Sequence, residues 1–411
     1  MKITHVLGHN SNWNVDSFLK HNIGDYFLIT AFTHGYNFDS KPLLKNIRNH
    51  AMIDLQFYGK NKQIKSGKLN EFPFHTFNAN KDEVTSVYFE NSAKQAIDFQ
   101  ISKNFKNIII PLFYENDRLE DFIYAIKSLN KYIGSLKKGN HKFFMTLPFA
   151  NHIIIDENKV EEILFTCTDM DINFDGYFIT CENKPEFRKK LTTEIKIFKN
   201  LSRVFKTLKS QDFETIYAYA NWDSIIYLAQ TDIDYITIGS YENLRNFDIK
   251  RYTENVSGGK SDGYYFSEKL LNMIRAADLT ALSQYNLLEV VKNEKNIFSD
   301  IILKDGYSWN IHKPDVNKNY LLSIKNLLLR ISNIKDLNKR KNYVLSLIEN
   351  ANKSYNYLEN KNIFLNNEGS NYHLNSSKTY LMHSQLLISL SDNNICILDK
   401  VKGLQCLHSY L

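Results

Sequence analysis

The feature that most constrains this chain is a series of short, nearly continuous apolar runs with helical patterns between them. The runs are Tyr26–Phe32, Met52–Tyr58, Asn107–Phe113, Lys142–Leu147, Gly176–Cys181, Thr215–Ala220, Tyr235–Ile238 and Gly263–Phe266. Each is four to seven residues long and rich in Ile, Phe, Tyr and Val, with little in/out alternation. Strands read this way when both faces are buried, as in a parallel sheet covered by helices. Helical patterns fall at Ala93–Phe105, Leu119–Leu136, Val160–Cys167, Phe187–Ser210 and Trp222–Gln230. Eight such strands with helices between them predict a (β/α)8 TIM-type barrel, whose usual size of roughly 250 residues fits this span. Lys2–Leu7 is a ninth strand-like run. If it opens the sheet, Gly263–Phe266 drops out, or the sheet is an open, doubly wound parallel one.

Residues 1–284 are therefore assigned to the barrel, with a polar, Lys-bearing insertion at about 59–88. After Ser267 the pattern turns helical: Glu268–Leu282, Tyr320–Ile334, Val344–Ile348 and Lys378–Leu390, with a last apolar run at Asn394–Leu398. Residues 285–411 read as a mostly α-helical region packed on the barrel.

Charge and composition exclude several classes. The chain has 411 residues, 43% of them hydrophobic, and only 4 Cys, so neither disorder nor a disulfide scaffold fits. No run approaches the ~20 apolar residues of a membrane helix, and the first residues lack a secretory apolar stretch. A cytoplasmic location is expected. Of the net charge of +6, residues 285–411 carry most: 16 Lys and Arg against 11 Asp and Glu. Such a surface can meet nucleic acid, or it can simply be solvated. The Arg188, Lys189 and Lys190 stretch is expected on the solvated side of an amphipathic helix.

In barrels, chemistry gathers where strands end and βα loops begin. That rule selects His34, Asp54, Gln56, Glu115, Asn151, Glu182, Asn221, Asp223, Tyr241, Glu242, Asn243 and Arg245. Asp54 stands out as a carboxylate in an apolar run, which is costly unless it is paired or used. Glu182 and Glu242, on different strand ends, could form the carboxylate pair that glycosidic cleavage requires, one as proton donor and the other as nucleophile or base. Arg245 could grip an anion in a bidentate fork or pair with Glu242 three residues earlier. Gly258, Gly259, Lys260 and Ser261 resemble part of a phosphate-cradling loop, but Glu254 stands where a Walker A motif needs Gly. Tyr307, Trp309 and His312 could stack on a base or sugar, or plug the C-terminal region onto the barrel. No metal-ligand spacing is present, and no cofactor is expected.

These residues predict a barrel enzyme using carboxylate acid/base chemistry, with Glu182, Glu242 and Asp54 as catalytic candidates. It would cleave or transfer at a glycosidic bond of a small sugar- or nucleotide-like substrate. One alternative is a base-exchange type enzyme that docks nucleic acid through its basic C-terminal region. Another is a barrel without catalysis, used for binding or assembly.

Overall fold

The computed structural model describes residues 1–9, 11–59, 62, 67–112, 118–136, 139–169, 171–183, 191–254, 264–309, 313–365 and 373–384. Eight parallel strands form one sheet: β1 (Lys2–Leu7), β2 (Tyr26–Thr30), β3 (Ala51–Asp54), β4 (Asn107–Ile110), β5 (Lys142–Phe149), β6 (Gly176–Cys181), β7 (Glu214–Ala220) and β8 (Tyr235–Gly239). The ladder runs β3-β2-β1-β8-β7-β6-β5-β4, so the first and last strands pair in the middle of it. β3 and β4 approach each other without a ladder, leaving a (β/α)8 barrel that is nearly closed. Pro111 follows β4 directly and has no N–H with which to extend that seam. β4 and β6 are buried at every position, as strands with both faces covered must be.

The barrel thus begins at Lys2–Leu7, and Tyr26–Thr30 is its second strand. The Gly263–Phe266 run falls outside it. Tyr264–Ser267 (β9) instead pairs antiparallel with Asn272–Arg275 (β10) in a separate hairpin. The expected helix Glu268–Leu282 is corrected accordingly: β10 takes its middle, and helix forms only over Ala276–Gln284. An apolar YYF run is equally stable in a hairpin, so periodicity could not separate the two. The run at Met52–Tyr58 is also shorter as a strand, because Gln56 turns the chain with a left-handed φ of 57°.

The base of the barrel is tied by a repeated device. Asp25, Asp175 and Asp234 each stand immediately before a strand. Their carboxylates accept the amide of Ile3, Phe143 and Thr215 on the adjoining strand, each at 2.8 Å. The first ladder N–H would otherwise be unmatched at the sheet end.

Outer helices follow β1 (Ser11–His21), β3 (Ser86–Ser102), β4 (Leu119–Ser135), β5 (Glu157–Cys167) and β6 (Ile195–Ser210). The last starts later than Phe187 because the Glu194 side chain caps it on the Lys196 amide at 3.1 Å. Residues 184–190, including Arg188, Lys189 and Lys190, lie outside the described residues. Among the described residues, β7 is followed by the short helix Ser224–Leu228, and β8 by a single turn at Glu242–Leu244 and the short helix Lys250–Thr253. The helix Pro314–Ser332 packs on both Ser224–Leu228 and Ser11–His21, and so takes the place of an eighth outer helix. A further helix, Leu337–Glu359, packs against it. Several cations of this region are committed: Lys318 to Asp16, Arg330 to Glu268, and Arg340 to Asp232. No helix among the described residues is long and apolar enough to cross a membrane.

The insertion between β3 and its helix carries single turns at Leu69–Glu71, Thr76–Asn78 and Lys81–Glu83. Its Leu69, Phe72 and Phe77 are buried. His75 pins it to the end of β3: one ring nitrogen meets Leu55 O at 2.9 Å and the other accepts the Phe77 amide at 3.2 Å. That bonding makes the ring neutral, and burial lowers its pKa to about 4.

Candidate functional site

Two adjoining groups of side chains occupy the mouth where the strands end. The first centres on Asp54, the last residue of β3. Its carboxylate accepts the Gln56 amide at 2.8 Å, the Tyr58 hydroxyl at 3.1 Å and the Tyr219 hydroxyl at 2.5 Å. Gln56 in turn donates to the Tyr219 and Tyr252 hydroxyls at 2.9 and 2.8 Å, and accepts the Phe32 amide at 2.9 Å. All five side chains are buried. The phenol of Phe247's neighbour Tyr58 and the Tyr252 ring both pack on Phe247. Gly59 keeps this group closed, since a Cβ there would lie 2.1 Å from Tyr252 O.

Burial pushes the Asp54 carboxyl up to about 6, against the opposing pull of its three donors. Burial, and then the charge of Asp54, holds the Tyr58 and Tyr219 hydroxyls well above their usual value, so both stay protonated donors. Asp54 and Gln56, two residues apart, are brought together by the turn at Gln56.

Tyr219 joins this group to the second. It sits at an irregularity in the β7–β8 pairing and has a left-handed φ of 53°, rare for a bulky residue. Its amide leaves the ladder for Thr237 Oγ1, at 2.7 Å. Backbone held in this region costs of order 1–3 kcal/mol and concentrates at functional sites.

The second group lines a narrow cleft, partly open to solvent, whose enclosed space is about 10 Å³, room for about one water molecule. Its walls include Cys181, Asn183, Tyr219, Asn221, Asp223 and Arg245. Asn221 and Asp223 follow β7, and Asn221 accepts a hydrogen bond from Tyr320 at 3.1 Å. Asp223 is 1% exposed, and its Oδ1 has no hydrogen-bond partner among the described residues. Burial raises its carboxyl to about 7, against the pull of nearby backbone amides. Burial, followed by the charges of Glu182 and Asp223, pushes the Cys181 thiol up. Glu182 is buried, and its Oε2 accepts the Asn151 amide at 3.1 Å. It also forms a parallel bridge to Phe247.

The remaining candidates are dispersed. Glu242 and Asn243 are exposed, unlike the buried Glu182. The expected Glu242–Arg245 pair does not form, and Arg245 has no ion pair among the described residues. Its guanidinium instead lies over the Tyr320 ring at 4.1 Å, and it donates to Ser240 O at 3.2 Å. Tyr241 packs on Trp13. His34 is buried at the end of β2, with Ser11 Oγ at 3.3 Å, and burial followed by the Lys41 charge lowers its pKa to about 4. Glu115, Gly258, Gly259, Lys260, Ser261 and His312 lie outside the described residues. Tyr307 and Trp309 pack edge to face and are partly buried against the core. Among the described residues, no three His, Cys, Asp or Glu side chains gather as a metal site.

Sequence reasoning missed Tyr219, Tyr252, Asn183 and Tyr320. A tyrosine within an apolar strand carries no local mark of its role, and Tyr320 reaches Asn221 from 99 residues away. Comparison of the chain with protein-family models and with curated protein sequences finds no match.

Proposed function

We propose that the protein is a barrel enzyme that cleaves or transfers at a glycosidic bond, with Asp223 as the proton donor. The observation that carries this reading is Asp223 itself: a carboxyl raised to about 7, with one oxygen unpartnered among the described residues, on the wall of a cleft lined by amides. A carboxyl that keeps its proton near neutral pH can give it to a departing sugar oxygen. Glu182, on the neighbouring strand end, supplies the second carboxylate, as nucleophile or as base toward water. Asn183 and Asn221 bond to sugar hydroxyls. Tyr219 lines the cleft with its hydroxyl fixed in place, donating to Asp54 and accepting from Gln56. Glu242, being exposed, takes no part in the chemistry.

The test is turnover of a panel of aryl glycosides and nucleosides. With a substrate found, Asp223→Asn and Glu182→Gln each lower turnover by about 10²–10⁴-fold, the usual worth of general acid–base catalysis. Glu242→Gln leaves it within about twofold. A panel with no substrate, or undiminished turnover in Asp223→Asn, overturns the proposal.

A further inference from the structure

Arg245 is a cation whose bonding is incomplete. Its Nη2 donates to a main-chain oxygen, Ser240 O, at 3.2 Å, its Nη1 lies 3.8 Å from the Met273 sulfur, and the guanidinium also hydrogen-bonds the Tyr320 hydroxyl, so its partners are all neutral. Its Nε is buried with no partner among the described residues. No carboxylate among the described residues pairs with it. The guanidinium plane is held over the Tyr320 ring at 4.1 Å, and Tyr320 is fixed in turn through Asn221. The group is therefore oriented, partly desolvated and unneutralised on the wall of the cleft. Removing a cation from water without a counter-charge is costly, and a bound anion would offset that cost. A guanidinium edge presents parallel N–H donors that match two oxygens of a carboxylate or phosphate, a geometry an ammonium cannot offer.

We infer that the Nε edge of Arg245 receives an anionic group of the substrate, so that the cleft takes a sugar bearing a carboxylate or phosphate rather than a neutral one. This rests on the reading of the cleft as the substrate site. Asn183 and Asn221 then meet the hydroxyls, and Arg245 sets which sugars bind.

Titration calorimetry of the full chain with glucose, glucuronate and glucose 6-phosphate tests it. At least one anionic sugar binds ten-fold or more tightly than glucose, and the identity of the tighter one distinguishes carboxylate from phosphate. Arg245→Gln lowers the affinity for that anionic sugar ten-fold or more, so that its ratio to the glucose affinity falls to about one. Arg245→Lys, which keeps the charge without the fork, retains only part of the preference. Thermal melting of both variants checks that they fold. A preference that is missing in the parent chain, or that survives in Arg245→Gln, overturns this inference alone. No binding of any of the three sugars overturns it together with the assignment of the cleft.

Discussion

The two halves of the barrel mouth contain similar residues and treat them differently. Around Asp54, three donors meet one carboxylate, and Gln56 uses both ends of its amide. Around Asp223, polar atoms of Asn183, Asp223 and Arg245 are buried without partners among the described residues. A completed polar network specifies shape, whereas an unmatched buried polar atom costs about 1–3 kcal/mol and calls for an explanation. The contrast marks the Asp54 side as a frame and supports our proposal that the Asp223 side takes the ligand. Tyr219 belongs to both, which accounts for the strained backbone tolerated there.

The largest expected effect tests the frame. Asp54→Ala leaves the Tyr58 and Tyr219 hydroxyls and the Gln56 amide without their acceptor. At about 1–3 kcal/mol each, the loss in urea unfolding is about 5 kcal/mol at pH 4, where ionisation burdens the parent least. A loss below about 1 kcal/mol would erase the distinction between the two halves.

Next comes the pH dependence of Asp223. Its carboxyl is raised from 3.8 to about 7. Its contribution to stability is fully present below about pH 4 and lost as pH rises through 7, because the unfolded chain ionises first. Asp223→Asn lacks this dependence. Relative to the parent, it therefore gains up to about 4 kcal/mol between pH 4 and pH 8. Urea midpoints at pH 4, 6 and 8 measure the gain, and a difference that does not change with pH would contradict the assigned burial.

A smaller effect sharpens the boundary between the halves. Tyr320→Phe removes one hydrogen bond to Asn221 but keeps the ring beneath Arg245, so stability falls by about 1 kcal/mol. Thermal melting checks this. A much larger loss would place Tyr320 in the frame instead of beside the cleft. The smallest effect is that of Glu242→Gln: an exposed side chain whose loss changes stability by less than about 0.5 kcal/mol in the same melts.

Much of the barrel was legible because its strands are buried on both sides. The runs at β4, β5 and β6 stand out for that reason, and their helices follow the usual spacing. The eighth strand was misplaced because an apolar run such as Tyr264–Phe266 can pair as well in a hairpin as in a barrel. Asp54 was visible as a charge among Ile and Leu. Tyr219 was not, because its role depends on a break in pairing that no local pattern announces. Arg245 was visible as a cation in a polar loop, but its release from Glu242 depends on the distant Tyr320 ring. The three aspartates at the strand entries formed a repeat that can be read afterwards, each immediately before a strand.

The helix Pro314–Ser332 has a consequence for how the molecule comes into being. A ribosome must release more than three hundred residues before this last stave of the wall emerges. Until then Ser11–His21 and Ser224–Leu228 present bare flanks to one another, and Arg245 has no ring to rest on. Assembly of the mouth is therefore among the final events of synthesis, and a nascent chain stalled before this point holds an unfinished cup.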